Sequence, residues 1–184
     1  ATAKKARDKA VCKILGQRSG IEVPDEWQVD GDGPAPLSLS AWAIWRGIRL
    51  EEEALKAFCD ATGEQMVNVG FCAHESGVAG CSPDALSLDA PEGFEGKCPL
   101  PETHCRYVLA GDLPDEYRDQ VHFSMAVTGA NAWWFQSYCP GLPSLRVRVH
   151  RNSYTASILA GIRDFKAELD AANATMAKLW AAEF

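Results

Sequence analysis

A chain of 184 residues that is 47% apolar and carries six tryptophans is sized for one domain, and its composition fits a packed globular protein rather than a disordered one. No apolar run approaches the ~20 residues that span a bilayer, and no charged-then-apolar leader opens the chain, so the expected setting is the cytoplasm. The net charge of −7 argues against wrapping of nucleic acid by the surface as a whole, but a local basic groove can coexist with an acidic exterior.

Seven cysteines without a C-x-x-C pair read as reduced, mostly buried thiols. Cys72 with His74, and Cys98 with His104 and Cys105, lack the repeated spacing of zinc ligands.

Residues 4–15 read as a helix with Ala10, Val11, Ile14 and Leu15 as its apolar stripe, and residues 17–36 as a Gly-, Pro- and Asp-rich loop. A second helix is expected over 39–61, where Trp42, Trp45, Ala54, Leu55 and Phe58 share a face and Gly63 stands beyond the end. Strands are expected at 66–72, 85–88 and 93–98, the last two joined by a turn over 89–93, with Pro99 and Pro101 ending the ladder. A short helical piece and a turn at 112–114 precede a helix over 115–127 with Tyr117, Gln120, Val121 and Ser124 at helical spacing. Strands follow at 132–138 and 145–149.

The last element is a long amphipathic helix. Tyr154, Ile158, Ile162, Phe165, Leu169, Ala172, Met176 and Leu179 recur mostly at steps of four and three, a stripe for core or oligomer packing. The order α-α-β-β-β-α-β-β-α describes an α/β fold with a mixed central sheet flanked by helices, read as a single domain over 1–184. Within it, residues 1–38 form an N-terminal helix and loop ahead of a core over 39–184.

The chemistry concentrates at 81–99. Asp84 follows a proline, and Glu95 and Lys97 lie two residues apart on an expected strand, so alternation puts both on one face. Their Cβ atoms would be roughly 7 Å apart, room for a metal and its water. Two carboxylates and an ammonium are the charges a Mg²⁺-dependent nuclease gathers around a scissile phosphate. Alone, Ser-Pro-Asp more often opens a turn and Glu-x-Lys more often faces solvent, but their combination across a hairpin is rarer. Glu51, Glu52 and Glu53 offer further carboxylate, and for Glu52 and Glu53 an outer helix face is the better reading.

These blocks resemble, in order, the phage-type alkaline exonucleases, the lambda exonuclease and YqaJ-like recombinase family of the PD-(D/E)XK superfamily. The blocks are Trp45-Arg46-Gly47 with Glu51 and Ala54, Cys81-Ser82-Pro83-Asp84, Glu95-Gly96-Lys97-Cys98-Pro99, Tyr117-Arg118-Asp119-Gln120-Val121, and Ala132-Trp133-Trp134-Phe135 with Tyr138 and Pro140. The resemblance implies a restriction-endonuclease-like core and a 5′→3′ exonuclease that leaves 3′ overhangs on linear duplex DNA. It also implies a homotrimer and a single-strand annealing partner, in a phage- or prophage-encoded system of a bacterial host. It assigns Asp84, Glu95, the Gly96 carbonyl and Glu51 to Mg²⁺ (or Mn²⁺), with two ions per site. Lys97 would serve the nucleophilic water, Gln120 would hydrogen-bond in the active centre, and Ser82 would contact the phosphate.

Gly96 and Ala85 depart from the family's usual apolar residue and glycine, and its N-terminal Arg-x-Gly segment has no convincing counterpart, so that either residues precede Ala1 or the 5′ end is gripped differently. The rival readings are a restriction- or repair-type endonuclease with the same site, and a non-catalytic module that binds DNA ends. Outside the cluster, Trp133 and Trp134 could stack on bases, but alternation points them to opposite faces, so at least one is expected in the core. Arg146, Arg148 and His150 share one strand face that suits phosphate contact or, equally, a plain solvated edge, and His122 reads as a packed histidine.

Overall fold

The computed structural model describes residues 39–183; the expected helix over 4–15 and loop over 17–36 lie outside the described residues. Helix α1 (Leu39–Thr62) leads into a five-stranded sheet of order β1-β4-β5-β6-β7, formed by Met66–Val67, Ala85–Ser87, Glu92–Lys97, Ala132–Ser137 and Leu145–His150. Strands β5 and β6 pair in parallel and the other neighbours are antiparallel. A parallel pair needs a crossover. Helices α2 (Pro101–Ala110) and α3 (Asp115–Thr128) supply it, each stopped by a glycine in the left-handed region, Gly111 at φ 72 and Gly129 at φ 75.

The expected strand over 66–72 is broken. β1 ends at Val67, and the chain leaves the main sheet to build a separate hairpin from β2 (Cys72–Ala73) and β3 (Gly80–Cys81). The intervening Asn68 and Gly70 are poor strand formers, and the Asn68 side chain donates to the Asp84 carbonyl at 3.2 Å. The hairpin is fixed by its loop, where His74 N donates to Ala79 O at 2.9 Å and Gly77 turns the chain at φ 72. The Phe71 ring covers Gly80 so closely that a Cβ there would lie 2.0 Å from it.

Alternation along the strands sorts the core onto two faces. Under α1, Phe58 packs with Ala85, Phe94 and the half-buried Trp134. On the opposite face Val121 and Met125 of α3 cover Trp133, while Tyr107 of α2 meets Phe135 and Leu145. Trp133 is fully buried and cannot stack on a base. Trp134 meets Phe58 edge-on at 5.4 Å, and the Arg148 guanidinium lies over its ring.

The arginines of β7 bond to partners on neighbouring strands, which neither of the two expected readings, phosphate contact or a plain solvated edge, includes. Arg146 Nε donates to Gln136 Oε1 at 2.9 Å, and Arg148 grips both oxygens of Glu92. His150 is exposed. Among the described cysteines, Cys98, Cys105 and Cys139 are buried, whereas Cys59, Cys72 and Cys81 are half-buried, so the thiols are less uniformly interior than composition suggests.

Helix α4 (Ser153–Glu183) packs against α3 through its first turns, with Thr155 and Ile162 buried. Beyond Ile162 its apolar stripe meets no core among the described residues: Phe165, Leu169, Met176 and Leu179 are exposed. The described order is therefore α-β-β-β-β-β-α-α-β-β-α, a mixed α/β fold in which the small hairpin is added and the expected short helical piece is α2.

Candidate active site

Asp84 immediately precedes β4, and the β4–β5 register, Ala85 opposite Phe94 and Leu86 opposite Gly93, brings it level with Glu95 and Gly96. Its Oδ2 accepts the Gly96 N–H at 2.7 Å, which turns the carboxylate over β5. Glu95 and Lys97 share the α3-facing side of β5, as strand alternation requires.

Glu95 is 2% exposed, and its Oε1 accepts from both Lys97 Nζ and Gln120 Nε2, the latter at 2.7 Å. The structure thus differs from the expected open gap between Glu95 and Lys97: the ammonium bridges it directly. Gln120 is itself exposed, but it reaches this buried carboxylate from one turn inside α3. Its neighbour His122 is a packed histidine, with Nδ1 2.8 Å from Thr155 Oγ1.

A cavity of about 340 Å³ opens beside the pair, lined by Glu51 of α1 together with Asp84, Gly96, Lys97 and Tyr117. Burial pushes the Asp84 carboxyl above its ordinary range, against the opposing pull of the Gly96 N–H and Lys97. Burial and then repulsion from Asp84 do the same to Glu95, and likewise to the more exposed Glu51. Burial pulls the Lys97 amine down, but Glu95 and Asp84 together outweigh it and leave it above the usual range. At neutral pH the Lys97 side chain is therefore an ammonium, suited to balancing negative charge rather than taking a proton. Ser82 is exposed and lies outside the residues lining the cavity.

Two contributors carried no assigned role in the sequence. Arg46 is buried, and its guanidinium donates to the carbonyls of Cys98 and Pro99 at 3.0 and 3.1 Å and to Cys139 Sγ at 3.5 Å. It clamps the chain immediately after Lys97. Tyr117 presents its ring 5.4 Å from Lys97 Nζ. Its signal was the spacing to Gln120, three residues on and hence on the same helix face.

The donors suit a hard divalent cation in kind, being carboxylate oxygens, two of the carboxylates repelling each other in a partly buried site. Among the described residues, no three His, Cys, Asp or Glu side chains converge closely enough to chelate an ion as they stand, and Glu95 is bonded to Lys97. No described helix is long and apolar enough to cross a membrane.

The YqaJ-like viral recombinase domain model matches residues 17–131. An alkaline exonuclease (LHK-Exo) from Laribacter hongkongensis is 30% identical, with a TM-score of 0.65 over 83% of this chain and 79% of that one. Its complex with dAMP gives 30% identity and a TM-score of 0.60, over 80% and 79% of the respective chains. A phage related exonuclease from Haemophilus somnus 129PT, 12% identical with a TM-score of 0.50 over 93% and 88%, shares the fold. No curated protein matches the sequence. With the family model covering more than half of its length, the chain belongs to the YqaJ-like viral recombinase family.

Proposed function

We propose that the protein is a metal-dependent deoxyribonuclease, a 5′→3′ exonuclease that digests one strand of linear duplex DNA and leaves 3′ overhangs for single-strand annealing. The observation that carries this reading is the convergence of Glu51, Asp84 and Lys97 on one cavity, with the buried Glu95 bonded to Lys97. The alkaline exonuclease likeness at 30% identity supports the same chemistry.

Asp84, Glu95, the Gly96 carbonyl and Glu51 would hold Mg²⁺ or Mn²⁺, two ions per site. When bound, the metal supplies an acidified water and neutralises phosphate charge. The chain's own groups do the rest. Lys97 holds its positive charge beside the attacking water and offsets charge that builds on the phosphoryl oxygens. Gln120 fixes the Glu95 carboxylate, and the Ser82 hydroxyl takes a phosphate oxygen. The protein would work as a single nuclease domain over 1–184, as a homotrimer with a single-strand annealing protein as partner, in the cytoplasm of a bacterium carrying the phage or prophage.

The test compares linear 5′-phosphorylated duplex with closed circular duplex, in Mg²⁺ and then in EDTA. Digestion of the linear form alone, to 3′-tailed products and only with metal, is expected. Nicked circles would replace the reading with an endonuclease, and binding without digestion with an end-binding module.

A further inference from the structure

We propose that Tyr117 is a positioning residue whose ring holds the Lys97 side chain in the orientation that the reaction needs; this rests on the hydrolytic reading of Lys97. Lysine has a long flexible stem, and only about a quarter of the Lys97 side chain is exposed, beside a cavity large enough for other rotamers. Two contacts restrict it: the bond to Glu95 and the Tyr117 ring 5.4 Å from Nζ. An ammonium near an aromatic face is attracted by the ring's negative quadrupole.

The ring is itself immobilised. Phe135 stacks on it at 5.1 Å and 28°, and Tyr107 meets it edge-on at 6.1 Å, with the Tyr107 hydroxyl bonded to Glu116. A surface tyrosine free to rotate would not have this backing. Tyr117 and Gln120 are also three residues apart on α3, so one helical turn carries the Gln120 contact to Glu95 and the ring beside Lys97. Placement of α3 therefore sets both halves of the ion pair together.

The decisive measurement does not need activity. In protein carrying ¹³C-lysine, the Lys97 ε-CH₂ signal is assigned by its loss in Lys97→Ala. It is expected upfield of the other lysines because of the ring current. Tyr117→Phe should keep that displacement and Tyr117→Leu should abolish it. In the nuclease assay Tyr117→Leu should lower kcat about 10-fold with KM for DNA ends unchanged, a loss within the range of a desolvated cation–π contact, while Tyr117→Phe recovers most of the rate.

An ordinary Lys97 shift in the wild-type protein overturns the proposal, even if the Leu variant does not fold. So does a rise in KM with kcat intact, which would make Tyr117 a DNA contact. A normal ring-current pattern in a protein that digests no DNA would leave the positioning in place and remove the nuclease reading instead.

Discussion

Asp84 Oδ2 accepts the backbone N–H of Gly96 at 2.7 Å, so a side chain twelve residues upstream is tied to the strand that carries the other site charges. The bond needs an oxygen acceptor but not a charge. Burial penalises that charge and holds the Asp84 carboxyl above its ordinary range. Asp84→Asn should therefore preserve the fold and equal or exceed wild-type stability by up to about 1 kcal/mol, while cutting DNA digestion at least about 100-fold. Thermal melts and a digestion assay on the same preparation check both halves, and a clear loss of stability would show the charge to be structural.

Lys97→Ala removes the cation from Glu95, which stays buried with Gln120 as its remaining partner. Cleavage should vanish while DNA binding persists. Because Lys97 is only partly buried, the expected destabilisation is about 1–2 kcal/mol rather than the ~3–5 of a fully buried pair. The cost should shrink at low pH, where Glu95 protonates and no longer needs a counter-charge. Denaturant titrations at pH 8 and pH 5 measure this.

Arg46 satisfies two carbonyls directly after Lys97 and meets no carboxylate in the described contacts. Arg46→Ala should cost about 2–3 kcal/mol through unpaired buried carbonyls and lost stem packing. It should also lower the digestion rate, since the Cys98-Pro99 backbone holds the end of β5. Arg46→Lys, lacking the planar fork, should recover only part of either. Full recovery by lysine would reduce Arg46 to a charge.

His104 is buried and neutral, donating from Nε2 to the Pro143 carbonyl at 3.0 Å, with Nδ1 2.8 Å from Ser137 Oγ. Burial lowers its pKa below the ordinary 6.5, and His122 is lowered for the same reason. The unfolded chain then binds more protons, so the stability from a neutral histidine is fully present above pH 6.5 and is lost as pH falls from there toward the folded-state value. The maximum slope is about 1.4 kcal/mol per pH unit for each histidine. Between pH 7 and pH 5.5, His104→Gln should flatten the stability profile relative to the wild type. Comparing the two in one window cancels the opposite contribution of Asp84 and Glu95, whose raised values favour the folded state on acidification.

What could be read in advance follows the range of the forces involved. α1 and α4 carry long apolar periodicities, and the β4–β5 hairpin has its turn and alternation in adjacent residues, so Asp84, Glu95 and Lys97 fall into place from local rules. Strands β2 and β3 span two residues each and exist only because they pair, which leaves no periodic trace. The roles of Arg46 and Tyr117 depend on neighbours 52 residues away for the arginine and on a three-ring stack for the tyrosine. Alternation alone could send only one of Trp133 and Trp134 inward, and the partners of both, like those of Arg146 and Arg148, are supplied by neighbouring strands, α1 and α3.

The parallel pairing of β5 with β6 also governs when the site exists. On the ribosome, Glu95 and Lys97 emerge well before Tyr117 and Gln120, and β6 follows only after the whole helical crossover. Long-range pairing of this kind closes late, after the loop entropy between the strands has been overcome. A nascent chain therefore carries the Asp84, Glu95 and Lys97 hairpin before Tyr117, Gln120 and the neighbouring strand β6 are there to complete its surroundings.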